Sequence, residues 1–312
     1  MTVRVAFEWL NSCSGCEIAI LDLGERFFEV LNMIELVHMP LIFDQKYYSV
    51  MGDGDSLQIP EADIGFISGG VRNEKHLEVA REMRKRCGTI VALGTCATHG
   101  GIPAMINSYT NDELLERYYS TEGTDEASGY PEEGLPALLD RCYALDEEIE
   151  VDVYLPGCPP HPDQIYQALV ALVKGRQPEF KEKSVCDTCP LSREGNLKKL
   201  RRFLEEPEPK DKRGNPLEMK CFLEQGFLCM GPVTRGGCGG EEKIPRCILA
   251  GVPCKGCYGP VINDADPRLE ILNALVSNDV DISALEEHTS LLRFAGAHGL
   301  LRPLRNKGGN EH

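Results

Sequence analysis

Between Lys183 and Pro260 the chain carries eight cysteines, Cys186, Cys189, Cys221, Cys229, Cys238, Cys247, Cys254 and Cys257, set among Gly, Pro and short polar runs. Almost nothing from Gly226 to Pro260 has the periodicity of a helix or a strand. Fixing one residue's backbone costs about 1–2 kcal/mol, so a segment this poor in regular structure needs another source of order. Metal–thiolate bonds supply it, and eight thiolates are what two four-cysteine sites require. Part of this chain is therefore expected to fold around ligand bonds, and only the rest around an ordinary apolar core.

Whether those thiols are ligands depends on the compartment. The N-terminal MTVRVAFEWL lacks a charged-then-apolar leader and a twin-arginine pair. The longest apolar-rich window, Ile165–Val173, falls far short of the ~20 residues that span a bilayer. The expectation is a cytoplasmic protein with no membrane span, where fourteen cysteines serve more often as ligands than as disulfides. A net charge of −16 argues against a nucleic-acid partner. The length of 312 residues suits two domains, and 42% hydrophobic content suits a sizeable core.

Before the cysteine-rich segment the pattern is strand–loop–helix. Val3–Trp9 reads as a strand, followed by Asn-Ser-Cys-Ser-Gly-Cys and a helical spacing from Glu17 to Leu31. Ile34–His38, Asp63–Ser68, Thr89–Leu93 and Val151–Leu155 read as further strands, with helices over Glu74–Lys85 and Asp163–Lys174. Such alternation implies a doubly wound parallel sheet, whose ligands sit beyond the carboxyl ends of the strands. Cys13, Cys16, Cys96 and Cys158 all follow predicted strands, so one sheet edge can bring them together. The acidic region Met105–Glu150 breaks the pattern and reads as a surface insertion. Later, Arg193–Glu205 reads as a basic helix, Glu206–Pro216 as a charged loop, and Asp266–His288 as helical, before a basic Gly-containing end.

Three readings compete for the first four cysteines. A thioredoxin-like pair leaves Cys96 and Cys158 without a role. Structural zinc usually takes two Cys-x-x-Cys knuckles, and here there is one. An iron–sulfur cluster accepts scattered thiolates and gains from backbone N–H groups in Gly-rich loops, which favours it. For the later eight, zinc is a stronger rival, because Cys186-x-x-Cys189 and Cys254-x-x-Cys257 can form one site, although four cysteines are then unexplained. The twelve make three groups of four. Cys87 and Cys142 fall outside them and read as buried or incidental thiols.

The segments CSGCE (13–17), GTCATHGG (94–101), PGCPPHP (156–162), CDTCP (186–190), CMGPVTRGGCG (229–239) and GVPCKGCYGP (251–260) together carry a family resemblance. In this order they resemble the small (gamma) subunit of cytoplasmic nickel–iron hydrogenases of the methyl-viologen-reducing, deazaflavin-non-reducing methanogen type. The resemblance covers roughly residues 3–260. It implies an α/β, flavodoxin-like doubly wound parallel sheet (1–180) with a proximal 4Fe–4S cluster on Cys13, Cys16, Cys96 and Cys158. A smaller, irregular iron–sulfur cluster domain (181–265) and a C-terminal helical tail (266–312) follow. The distal cluster falls to Cys186, Cys189, Cys221 and Cys229, with a Cys where many members have a first His ligand. The medial cluster falls to Cys238, Cys247, Cys254 and Cys257, four where many members keep three. The split of the eight follows family order alone.

The resemblance further implies no catalytic residue in this chain, the nickel–iron site lying in a large-subunit partner. It implies electron transfer through three 4Fe–4S clusters to an iron–sulfur delta-type subunit and a heterodisulfide reductase complex of methanogenesis. Glu17, beside Cys16, is a candidate for proton movement, against a plain helix-terminus charge. His99 and His161 are candidate cluster or partner contacts, against loop-structural roles. Arg235 reads as surface-exposed. The alternatives are a deazaflavin-coenzyme-reducing hydrogenase gamma subunit, a quinone-coupling subunit sharing only the N-terminal domain and, in a different class, a zinc-organised protein-binding scaffold.

Overall fold

Along Val3–Trp9 and Ala62–Ser68 most residues are buried, the mark of strands covered on both faces. The computed structural model describes residues 2–45, 47–48, 54, 56–120, 130, 133–180, 183–195, 199–200, 219–283, 285 and 289–303. Its strands are β1 (Val3–Trp9), β2 (Ile34–His38), β3 (Ala62–Ser68), β4 (Val71–Asn73), β5 (Cys87–Leu93), β6 (Leu138–Tyr143) and β7 (Val153–Leu155). Five form one sheet in the order β2-β1-β3-β5-β7, every pair parallel. The chain leaves β1 for one edge, then crosses back and builds the other way. This is the flavodoxin-like order, with its switch point between β1 and β3.

Period-two alternation divides the apolar residues between the faces. Val5, Phe7, Ile64, Phe66, Val91 and Leu93 pack on one side with Ile20, Ile165 and Leu169. The Phe7 and Phe66 rings stack there at 4.8 Å. Ala6, Ile67, Ile90 and Ala92 pack on the other side with Val79, Ala80 and Met83. The helices are α1 (Gly15–Leu21), α2 (Glu25–Leu31), α3 (Glu74–Arg86), α4 (Gly94–His99), α5 (Asn111–Tyr119), α6 (Pro162–Val173), α7 (Arg246–Leu249) and α8 (Pro267–Val276). Their ends obey ordinary chemistry. The Asn73 side chain accepts from the His76 N–H at the start of α3, and Arg84, Lys85 and Arg86 occupy its last turn. Asp266 caps α8, with Pro267 at the first helical position.

Three expectations need correction. The helical spacing from Glu17 to Leu31 hides a break: α1 stops at Leu21 and α2 starts after Gly24, whose φ of +61° no continuing helix allows. The described part of the basic-helix candidate Arg193–Glu205 is not helical, and Lys199 instead bridges to Asp281. Residues 196–198 and 201–205, and the loop 206–216, lie outside the described residues, as does the basic end 304–312. The flanks of the supposed insertion are packed: β6 pairs antiparallel with β4, and Ala104, Asn107, Cys142 and Leu145 are buried. Residues 121–129 and 131–132 of that region are outside the described set.

From residue 183 onward a third core gathers Val185, Phe222, Phe227, Met230 and Ile248 with Ile271 and Leu275 of α8 and Leu291 beyond it. Regular structure in Gly226–Pro260 amounts to the single 3-10 turn Gly240–Glu242 and the one-turn α7.

Candidate metal centre

β1, β5 and β7 each deliver a cysteine-bearing loop to the same sheet edge. Cys13 and Cys16 follow β1, Cys96 lies in α4 directly after β5, and Cys158 follows β7. Gly94 is where the three loops meet. A Cβ there would lie 2.3 Å from Cys16 Sγ and 3.4 Å from the Gly157 carbonyl oxygen. Thr95 ties the loops further, its N–H donating to the Gly157 carbonyl at 2.9 Å and its Oγ1 accepting from the Gly157 N–H at 2.8 Å. The Ile102 N–H points at the Cys96 sulfur.

The chemistry of the set is that of crowded thiols. All fourteen cysteines are free. Burial pushes the Cys96 thiol up to about 12, helped by the neighbouring Cys158 and Cys13. Burial raises Cys16 further still, with Glu17, Cys96, Cys158 and Cys13 adding to it. The expected convergence of Cys13, Cys16, Cys96 and Cys158 is thus present in the fold. Such a set ionises readily only when a cation is brought to it.

Divided by family order, the eight later cysteines neighbour one another within each group, while Cys254 feels Cys229 of the other group ahead of its own. Cys186 feels Cys229, Cys189 and Cys221. Cys257 feels Cys247 and Cys238, and Cys254 feels Cys229, Cys257 and Cys247. Burial is the largest cause of the raised thiol in each case, to about 12 for Cys186 and Cys257. Backbone N–H groups are aimed at these sulfurs: Gly231 and Cys254 at Cys229, Gly256 at Cys254, and Arg246 at Cys238. The Cys254 N–H reaches Cys229 Sγ at 3.3 Å. Among the described residues no three Cys, His, Asp or Glu side chains close on one point in the manner of a single-ion site.

The three groups touch in series. Thr95 Oγ1 donates to the Cys257 carbonyl at 2.6 Å, and the Cys158 N–H points at the Cys257 sulfur. Cys254 in turn donates to Cys229. The first set therefore abuts the Cys238–Cys257 set, which abuts the Cys186–Cys229 set.

Glu17 is buried, its Oε1 accepting a short hydrogen bond from the Ser68 hydroxyl while Oε2 has no hydrogen-bond partner. Burial raises its carboxyl above the usual range. His99 is buried, and burial drives it down to about 3, so its ring is neutral. Its Nδ1 lies 2.7 Å from Thr98 Oγ1, and Gly259 leaves room for the ring. His161 caps α6 through Nδ1, and its own N–H donates to the Tyr258 hydroxyl at 2.7 Å. Arg235 is not on the surface as expected. It is half-buried and donates to the Val261 carbonyl at 2.6 Å and to Asn263 Oδ1 at 2.9 Å. Cys87 and Cys142 are buried, and Cys142 neighbours Cys96.

Sequence reasoning missed four contributors. Thr95 and Gly94 stood in the GTC segment only as neighbours of Cys96. Arg193, read as part of a helix, donates to the Cys186 carbonyl at 2.6 Å and lays its guanidinium near Cys186, Cys221 and Cys189. Asp163 accepts from Arg26 at 2.7 Å and from the Glu241 N–H at 2.9 Å, joining α2 and α6 to the Cys238 loop. No periodicity or motif marks any of these contacts.

Comparison with known proteins agrees with this architecture. Residues 13–172 match the family described as NADH ubiquinone oxidoreductase, 20 Kd subunit. A subunit of the vhu F420-non-reducing hydrogenase of Methanocaldococcus jannaschii is 36% identical over 278 residues, covering 89% of this chain and 88% of the relative. The iron-sulfur subunit of the F420-non-reducing hydrogenase of Archaeoglobus profundus is 37% identical over 295 residues, covering 89% and 88%. Among solved structures, a chain of an NAD+-reducing [NiFe]-hydrogenase in the H2-reduced state superposes with a TM-score of 0.52 at 31% identity, covering 58% of this chain and 96% of that one. A [NiFeSe]-hydrogenase chain of Dm. baculatum shares the fold over 85% of this chain, with a TM-score of 0.52 at 20% identity. The chain belongs to the small, electron-transfer subunits of nickel–iron hydrogenases, in the F420-non-reducing group found in methanogens.

Proposed function

We propose that this oxidoreductase subunit carries electrons away from a hydrogen-splitting large subunit through three 4Fe–4S clusters. Cys13, Cys16, Cys96 and Cys158 would hold the proximal one. Cys238, Cys247, Cys254 and Cys257 would hold the medial one, and Cys186, Cys189, Cys221 and Cys229 the distal one. Each cluster, when bound, supplies one-electron storage near constant geometry.

The residues present fit such groups. Each set offers four thiols, and backbone N–H groups point at sulfurs of all three sets. Within each set neighbouring thiols are close enough to raise one another's pKa. The observation that supports the reading is the serial contact, Thr95 to Cys257 and Cys254 to Cys229, which would let the three sets follow one another.

This chain's own part is to hold, orient and exclude water. Gly94 lets Cys16 and the Gly157 loop approach, and Thr95 fixes the Cys96 and Cys158 loops to each other. Glu17, with its buried Oε2 unpaired, is suited to hold a proton beside Cys16. Residues 1–180 would form the unit of the first set and 181–265 the unit of the other two, with the tail 266–312 completing the latter's core through Ile271 and Leu275. The acceptor would be an iron–sulfur delta-type subunit leading toward a heterodisulfide reductase complex, in the cytoplasm of a methanogen. No described helix is long and apolar enough to cross a membrane.

The test is iron, acid-labile sulfide and zinc in the anaerobically purified complex. About twelve irons and twelve sulfides per chain are expected from three four-iron clusters. About eleven irons would remove one medial ligand from the proposal. Zinc with little sulfide would replace it with a zinc-organised scaffold.

A further inference from the structure

Thr95 lies at the seam between the α/β unit and the cysteine-rich unit and is 1% exposed. Its hydroxyl donates to the Cys257 carbonyl at 2.6 Å and accepts from the Gly157 N–H at 2.8 Å, while its own N–H donates to the Gly157 carbonyl at 2.9 Å. One side chain thus joins the loops of Cys96, Cys158 and Cys257. A hydroxyl is the smallest group that donates and accepts at once. Valine has the same shape and does neither, so it would leave a buried N–H and a buried C=O unpaired at this seam. We propose that Thr95 is a positioning residue that fixes the Cys13/Cys16/Cys96/Cys158 set against the Cys238/Cys247/Cys254/Cys257 set, and so governs the passage of electrons between them. The inference rests on the reading of both sets as cluster ligands.

The passage concerned is a single electron, lost on one side of the seam and gained on the other. No bond is made or broken and no proton moves. The protein acts on that passage through the potentials of the two sets and through the distance and contact between them. The Thr95 hydroxyl bears on distance and contact, because the Cys257 backbone it holds carries the sulfur toward which the Cys158 N–H points.

The experiment compares wild type, Thr95→Val and Thr95→Ser in the assembled complex with its large subunit. Iron and sulfide are counted, the magnetic interaction between reduced neighbouring clusters is read by EPR, and the rate of medial-cluster reduction after hydrogen addition is followed by rapid freezing. Thr95→Val is expected to keep full iron, to lose EPR splitting, and to slow medial reduction by about tenfold or more, the scale a small misplacement carries at a positioned pair. Thr95→Ser, which keeps the hydroxyl, is expected to restore both signals. An unchanged rate and splitting in the Val variant would overturn the proposal, as would a Ser variant that behaves like Val. Loss of iron in Val with full iron in Ser would also overturn it, because the hydroxyl would then hold a ligand set together and not the spacing between sets. A wild-type complex without iron and sulfide would instead defeat the reading of the sets as cluster sites.

Discussion

Replacing Gly94 by alanine separates two costs at one position. Gly94 has a φ of +83°, and a residue with a Cβ loses about 1–2 kcal/mol in left-handed backbone. A domain of ordinary stability survives that. The collision is graver. The new Cβ would lie 2.3 Å from Cys16 Sγ, whereas real Cβ contacts essentially never fall below 3.0 Å, so the sulfur must retreat by about 0.7 Å. Ligand bonds tolerate displacements of about 0.2 Å. Cys16 has little freedom to accommodate this, because it is buried in α1 and the next residue, Glu17, is hydrogen-bonded to Ser68. Gly94→Ala is therefore expected to lose about four of twelve irons, the complement of one cluster, while the rest of the chain stays folded. Gly175→Ala is the control. It too has a positive φ, +67°, but nothing lies within 4 Å of its Cβ, so it should show the backbone cost with all its iron. Iron and sulfide per chain and the thermal midpoint are the assays. Full iron in Gly94→Ala, or equal iron loss in Gly175→Ala, would refute the collision argument.

Cys87→Ala and Cys142→Ala are expected to leave iron unchanged, since Cys87 packs against Gly65 and Cys142 packs against Gly70 while accepting from Asn11 Nδ2. Each should cost about 1 kcal/mol in denaturant unfolding; iron loss in either would show that a ligand had been misassigned. The tail latch is expected to respond to pH. His298 Nε2 lies 2.8 Å from Asp146 Oδ1, and that hydrogen bond raises the His298 pKa. Asp146 is held low: burial is the largest single influence and opposes this, but the hydrogen bond and charge of His298, with the Tyr154 hydrogen bond, together outweigh it. A raised histidine contributes fully below its unfolded value near 6.5 and is lost as pH rises through the folded value. The depressed Asp146 is lost only as pH falls through its own folded value, below about 4. Protease resistance of the tail should therefore fall from pH 6 to 9 in wild type, measured by limited digestion, and His298→Ala should flatten that dependence. An identical profile in the variant would assign the pH response elsewhere.

The sheet was legible because its strands are apolar runs ending in Gly or Cys, and each cysteine of the first set sat just past such a run. The break after Leu21 was not legible, because Ile18, Leu21, Phe28 and Leu31 keep helical spacing across it. Ile18, Leu21 and Phe28 are all exposed, so the periodicity did not report a buried face. Arg235 misled for a different reason. An arginine in a Gly-rich run reads as surface, yet a segment without its own ladder leaves backbone carbonyls to be satisfied, and Arg235 takes that of Val261. The acidic insertion was judged by composition, which says nothing of where its ends anchor. Asn107 anchors there, donating to the Cys142 and Gly296 carbonyls at 2.8 and 3.2 Å.

The spatial order of the cysteine sets reverses their order along the chain, and short-range contacts explain why. The chain passes Cys186, Cys189, Cys221 and Cys229 first, yet the later set, through Cys257, is the one that meets Thr95 and Cys158. The return is enforced by pairing: Val185 donates to the Thr234 carbonyl at 2.9 Å, Thr234 bridges to Pro260, and Arg235 donates to the Gly259 carbonyl at 3.0 Å. These bonds fold 251–260 back against the segment that follows Cys229, so that Cys254 lies on Cys229 and Cys257 faces the sheet edge. A spacing motif cannot encode this, because the same Cys-x-x-Cys would serve either set. The placement of 251–260 comes from the backbone pairings of Thr234 and Arg235. Disrupting that return should therefore affect both later sets together and cost the first set only its contacts to Cys257, since its own loops are still joined to one another at Gly94, Thr95 and Gly157.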